Sequence, residues 1–290
     1  MLSSRVSMCT WVLSLLAVTT AVFARQYAPA YYTTAGGDKM FYHLWFPENY
    51  QQGKEYPLLT WLHGRGGWSI PGGIFTRTTP PEYQCFILSP ACPQTDWWWT
   101  WSAESPTKSA RIALELIKSI RDGYPIEKNR LYITGHSMGG AGTWDFMWAE
   151  PDLFAAGVPM SGCLANYQQK APAVVDIPVW FFWGALDTPG MQAGYPIDTI
   201  HALEALGGRP RYTEYPNLAH NTPNTVLSEP ELFPWLFSQQ TPEPASALAL
   251  AAGAGMLLSR RGKVIRRLPR QSLARDGGLF CRGISPAAPD

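Results

Sequence analysis

A serine held between two glycines, where a strand-like segment gives way to a helix-like one, is the feature that most restricts how this chain can fold. Residues 131–134 form a short apolar strand, Gly135-His136-Ser137-Met138-Gly139 follows at once, and residues 138–150 have the length of a helix closed by Pro151. A chain that turns this sharply leaves little room for side chains beside the serine. The glycines let the helix pack close, the hydroxyl projects above the sheet, and the next backbone N–H points where a substrate oxygen would sit. The motif alone is weak; its strand–turn–helix setting is what gives it meaning.

The rest of the chain repeats that alternation. Residues 39–46, 56–62, 85–88, 155–160, 179–183 and 212–215 read as strands. Between and after them, helices are predicted from Ser105-Pro106 to Gly123, over 199–206 and over 229–238. In the first of these Ile112, Leu116 and Ile120 recur every fourth residue, with Ala113 and Ile117 beside them, and so form an apolar face. Strands alternating with helices predict an α/β fold: a mostly parallel central sheet with helices on both faces and ligands at the carboxyl ends of the strands. No long insertion separates Gly162 from Ile177, so no large lid is expected there.

Charge excludes one class of function. Residues 26–240 carry 13 Lys and Arg against 19 Asp and Glu, and much of the basic excess falls in the C-terminal tail. A negative body without a basic stripe does not suit nucleic acid. The N-terminus has the form of a signal peptide over residues 1–24: Arg5, an apolar stretch over 11–23, and Val22-Phe23-Ala24 before Arg25. A membrane anchor is the alternative, although the apolar stretch is short for a span. Of five cysteines, Cys85, Cys92 and Cys163 fall in the body, where an exported protein can form one disulfide without the sequence choosing the pair. No cysteine or histidine spacing suggests a zinc site, and no cofactor is implied.

The serine needs a base, and only His201 and His220 follow it. His201 falls within a predicted helix; His220 falls in the loop after the last strand, at the edge where the serine emerges. The base needs an orienting carboxylate, and Asp187 is the first one past the 179–183 strand. Asp176 precedes that strand and Asp198 opens the next helix. An oxyanion needs two N–H donors. Met138 supplies one, and His63-Gly64-Arg65-Gly66-Gly67 offers the other, with Arg65 the favoured donor and His63 holding the loop. The run Asp96-Trp97-Trp98-Trp99-Thr100-Trp101 lies at the same edge. Its indoles can form a stacking platform for a sugar, an aromatic acyl group or a polymer, or else a hydrophobic plug.

Leu62-His63-Gly64, the serine motif with Gly140, Pro151-Asp152-Leu153-Phe154-Ala155-Ala156, Gly184-Ala185-Leu186-Asp187 and Ala219-His220 stand in the order seen in α/β-hydrolases. Over roughly residues 35–240 the chain resembles the phospholipase/carboxylesterase, predicted-peptidase and polyhydroxybutyrate-depolymerase-like esterases. The resemblance implies a Ser137–Asp187–His220 triad, hydrolysis of small-molecule or polymer-linked esters, and no cofactor or metal. Arg65 departs from relatives that more often carry a small or apolar residue there.

The C-terminal end carries Pro242-Glu243-Pro244, an uncharged stretch over 245–258, then Arg260-Arg261. Together these resemble a PEP-CTERM sorting signal over residues 241–261, followed by a basic tail, 262–290, expected to be disordered. The resemblance implies a bacterial envelope or extracellular protein, transient membrane association and a sorting protease as partner; a permanent anchor is the alternative. A prolyl-oligopeptidase-like serine peptidase and a non-catalytic envelope binding protein are the competing functions. The first would normally carry a size-selecting propeller, and the second has no use for a complete triad.

Overall fold

The computed structural model describes residues 27–66, 79–188 and 196–242. The signal peptide, Gly67, the sorting signal from residue 243 onward and the basic tail lie outside the described residues. So do Cys9 and Cys281.

Strands β1 (Tyr27–Thr33), β2 (Lys39–Trp45), β3 (Tyr56–Leu62), β4 (Phe86–Pro90), β5 (Ile126–His136), β6 (Ala156–Met160), β7 (Trp180–Gly184) and β8 (Arg211–Tyr215) form one sheet. Its spatial order is β1-β2-β4-β3-β5-β6-β7-β8. The first two strands pair antiparallel, β2 with β1 and with β4, and every later pairing is parallel. The mostly parallel sheet expected from the alternation, and the α/β-hydrolase fold that the resemblance implies, are therefore present. Helices α1 (Lys108–Gly123), α2 (Met138–Ala149), α3 (Tyr167–Val174), α4 (Pro196–Ala205), α5 (Pro223–Val226) and α6 (Leu232–Ser238) complete the described elements.

Side chains alternate across a strand, so each central strand feeds two cores. Leu58 and Leu62 join Leu116, Ile117 and Trp144 on the face covered by α1 and α2. Leu59 and Trp61 join Tyr132, Phe182, Phe233 and Leu236 on the face covered by α6. Because both faces of β3, β7 and the second half of β5 are covered, these segments read as continuous apolar runs rather than as alternating ones.

Several local expectations shift. Helix α1 starts at Lys108 with Thr107 as its cap, not at Ser105-Pro106. Thr107 Oγ1 accepts the Ala110 N–H at 3.1 Å and donates to the Trp97 carbonyl at 2.7 Å, a bond that exists only once the tryptophan loop is in place. β5 begins at Ile126, earlier than its apolar half suggests, because Ile126 pairs with Tyr56. β1, α3 and α5 were not foreseen: β1 holds Pro29, α3 holds Pro172 and α5 is a single turn. Cys85, Cys92 and Cys163 are all buried, and no disulfide joins any two of them.

Candidate active site

The turn after β5 is as tight as its glycines imply. A Cβ placed on Gly139 would lie 1.9 Å from the Leu62 carbonyl oxygen, and one on Gly135 would lie 2.4 Å from that of Gly139. Any side chain at either position would push α2 off β3. Ser137, between them, adopts φ 59° and ψ −117°. That backbone region is sparsely populated for a non-glycine residue and typically costs about 1–3 kcal/mol, which the surrounding packing must hold in place.

Three side chains from three separate strand ends meet here. The Ser137 hydroxyl and His220 Nε2 are 2.7 Å apart, and His220 Nδ1 and Asp187 Oδ2 are 2.8 Å apart. With Nδ1–H donating to the carboxylate, Nε2 is left to accept from the serine. The Asp187 side chain is 7% exposed and that of His220 48%, so the carboxylate is shielded while the imidazole borders the cleft. His201 is exposed on α4 and takes no part.

Met138 is the first residue of α2, so its N–H is one of the helix-end donors without an intrahelical partner. Gly64 passes close to Ser137: a Cβ built on it would lie 3.5 Å from Ser137 Cβ and 3.4 Å from the His136 carbonyl oxygen. Arg65 is the next residue. His63 holds this loop, as expected, and in two directions. Its Nδ1–H donates to the Gly64 carbonyl at 2.8 Å, and its Nε2 accepts the Cys92 N–H at 2.9 Å. Burial holds its pKa below the ordinary histidine value, partly opposed by the Gly64 bond.

Sequence reasoning missed what secures His220. His136, inside the serine motif, donates its Nε2–H to the His220 carbonyl at 2.7 Å, and burial lowers its pKa, with the His220 bond opposing the shift. The same carbonyl accepts the Thr222 N–H at 3.1 Å, while the buried Thr222 and Ser161 hydroxyls lie 2.9 Å apart. A hint was present in the sequence, since His136 is the variable residue of the motif and shares its turn with Ser137.

The tryptophan run divides. Trp98 is fully buried, edge-on to His63 at 5.4 Å and to Phe146 at 5.9 Å. Its Cβ sits in a notch left by Gly142, where an added methyl would lie only 2.4 Å away. Trp99 is 8% exposed. These two have no face to offer a ligand; they are packing, and a platform of four indoles is corrected accordingly. Trp97 is half-buried under the Arg65 guanidinium, 4.0 Å from its ring centre, and Trp101 is 56% exposed.

A buried ion pair fastens this loop. Asp145 on α2 and Lys170 on α3 are 2.8 Å apart with fully buried side chains. Asp145 Oδ2 accepts the Thr100 N–H at 2.7 Å, Lys170 Nζ donates to the Thr100 carbonyl, and Asn166 Nδ2 donates to the Trp101 carbonyl at 3.1 Å. Burial pushes the Asp145 carboxyl up, to about 6, and the Lys170 ammonium down; their mutual contact opposes both shifts. The sequence signal was a lone charge in the otherwise uncharged helix 138–149. Among the described residues no group of three or more His, Cys, Asp or Glu side chains is placed to hold a metal ion.

Comparison with known proteins supplies the family. The sequence matches the Esterase family over residues 33–211. No curated protein matches it significantly. Among solved structures, a thermostable esterase is 28% identical with a TM-score of 0.62, over 76% of this chain and 64% of that one. The chain thus spans just under two thirds of that esterase. A ferulic acid esterase is 15% identical with a TM-score of 0.60, over 74% of this chain and 99% of that one. A fluorophosphonate-binding serine hydrolase of Staphylococcus aureus is 18% identical with a TM-score of 0.58, over 73% and 98%. The last two share the fold.

Proposed function

The chain belongs to the Esterase family of carboxylic ester hydrolases, and from that premise we propose that it cleaves esters through an acyl-enzyme on Ser137, with His220 as general base and Asp187 orienting it. The observation that supports this reading is the unbroken line of hydrogen bonds, Asp187 to His220 at 2.8 Å and His220 to Ser137 at 2.7 Å, ending on a serine in strained backbone. As Ser137 Oγ attacks the ester carbonyl, its proton passes to His220 Nε2. The imidazolium that forms is stabilised by Asp187, and the carbonyl oxygen becomes an oxyanion facing the N–H groups of Met138 and Arg65. Collapse expels the alcohol, which takes the proton from His220. Water, deprotonated by the same imidazole, then releases the acid and restores the serine.

The preferred substrates in this reading are bulky or polymer-linked esters, because Trp101, on the loop after β4, is exposed and offers a rigid apolar face. The ends of the chain support export to a bacterial envelope, with the Pro242-Glu243-Pro244 segment processed by a sorting protease. Intact-mass measurement of protein from its native host should then show termini near Arg25 and near residues 242–244.

Fluorophosphonate labelling of wild type and Ser137→Ala, followed by a panel of acyl esters and prolyl peptides, tests the activity. Labelling confined to wild type, with turnover of esters, is the expected result. Turnover of prolyl peptides alone would move the chain to the serine peptidases, and labelling that survives in Ser137→Ala would remove Ser137 as nucleophile.

A further inference from the structure

Arg65 does two things at once. Its backbone follows Gly64, which lies against the nucleophile, while its side chain turns away to the tryptophan loop. There Nη1–H donates to the Asp96 carbonyl at 2.8 Å, Nη2–H donates to the Gln94 carbonyl, and the guanidinium plane covers Trp97 at 4.0 Å. We propose that this guanidinium is the positioning group of the oxyanion site: it fixes residue 65 from outside, so that the Arg65 N–H is in place before the substrate arrives. The inference rests on the reading above, in which that N–H is the second oxyanion donor.

The segment that receives the side chain is itself anchored. The Asp96 carboxylate accepts the Trp97 N–H at 2.9 Å and the Ser109 N–H at 2.8 Å, and Thr107 Oγ1 donates to the Trp97 carbonyl at 2.7 Å. Burial works to raise the Asp96 pKa, but the bonds from Ser109 and Trp97 outweigh it and hold the carboxyl below its ordinary value. Arg65 therefore grips a fixed wall. The backbone at residue 65 is flanked by Gly64, whose carbonyl His63 holds, and by Gly66, which lies at φ +73°. Backbone between two glycines has little intrinsic reason to keep one conformation.

The chemistry suits arginine. Among the described residues no carboxylate pairs with it. Two carbonyls and a ring face are instead met by one planar fork, which a lysine's single nitrogen cannot reproduce. Oxyanion donors act at about 2.7–3.1 Å from the developing charge, and small displacements weaken them steeply. Loosening residue 65 should thus raise the barrier without altering how the ground-state ester binds.

The test compares Arg65→Ala and Arg65→Lys with wild type on p-nitrophenyl acetate, reading kcat, KM, inhibition by a trifluoromethyl ketone and the melting temperature. Removing an oxyanion donor outright costs roughly 10²–10³ in kcat, so a displaced one should cost about 10- to 100-fold. Inhibitor affinity should fall in parallel and KM should change less than about threefold, since only the transition state is affected. Arg65→Lys should be nearly as impaired as Arg65→Ala, and it carries the same test if the alanine variant folds poorly. Unchanged kcat in both variants, or a rise in KM at constant kcat, would overturn the proposal; the second outcome would mean that the guanidinium contacts substrate directly. If Ser137→Ala is inactive while Arg65→Ala matches wild type, this inference alone fails. If Ser137→Ala stays active, the reading beneath it fails.

Discussion

The loops on either side of Ser137 are built on opposite plans. The loop after β8 places one reactive side chain by main-chain hydrogen bonds. The His220 carbonyl is held by His136 and Thr222, Leu218 accepts the Leu186 N–H at 2.9 Å, and the imidazole is left half in the cleft. The loop after β4 is an extension of the core, with Trp98 and Trp99 buried and Thr100 gripped by an ion pair that water does not reach. On the proposed mechanism His220 exchanges a proton with substrate, and there backbone contacts hold the residue while its ring stays accessible. Where a wall is needed, the fold uses packing and buried charge. Substitutions in the two loops should therefore fail differently: in rate without stability on one side, in stability first on the other.

The sharpest way to break this contrast is His220→Ala. Loss of a triad member should lower kcat on the order of 10⁴–10⁶ with little change in melting temperature, whereas His201→Ala keeps activity. An inactive His201 variant would assign the base to the wrong loop. Next in size is Lys170→Met. Removing one partner of a buried pair costs about 3–5 kcal/mol, so urea unfolding should shift strongly while all esters decline alike. A change under about 1 kcal/mol would mean the wall does not depend on its ion pair. Acid supplies a third test. Burial holds both His63 and His136 below the ordinary histidine pKa. As pH falls below about 6.5 the unfolded chain binds protons that the fold does not, so stability present above that pH is progressively lost. His136→Gln, which keeps an N–H for the His220 carbonyl but does not titrate, should flatten the profile of unfolding free energy measured between pH 7.5 and 5. The smallest effect is Trp101→Ala. A stacking contact is worth roughly 0.5–1.5 kcal/mol, so KM for feruloyl or acetylated-sugar esters should rise several-fold while acetate turnover stays constant. Equal losses on every ester, with a falling melting temperature, would place Trp101 with Trp98 as packing.

Much of the first loop could be read from the chain, because local signals set it. The strand–turn–helix around Ser137, the carboxylate just past β7 and the histidine just past β8 are each fixed within a few residues of sequence. The second loop could not be read that way. Four neighbouring indoles look equivalent in a sequence, and only Gly142, His63 and Phe146 decide that Trp98 turns inward. Asp145 and Lys170 lie on separate helices, and neither announces the other. The start of α1 moved for the same reason: Thr107 becomes the cap because the Trp97 carbonyl is there to receive its hydroxyl. β1 escaped notice because, among the described residues, it pairs with β2 alone at the edge of the sheet.

The three body thiols carry a practical consequence. Burial raises Cys92 and Cys163 to about 12, with the Ser109 hydroxyl and the Arg65 charge lowering Cys92 and the Asp187 charge raising Cys163 further. At neutral pH the folded protein therefore presents almost no thiolate at either position, and no cross-link among the three has to form for the chain to mature. Reducing and oxidising hosts should yield the same catalytic domain. With Cys9 and Cys281 replaced by serine, an aromatic disulfide reagent would react only as fast as the body opens, which turns these silent sulfurs into a clock for its unfolding.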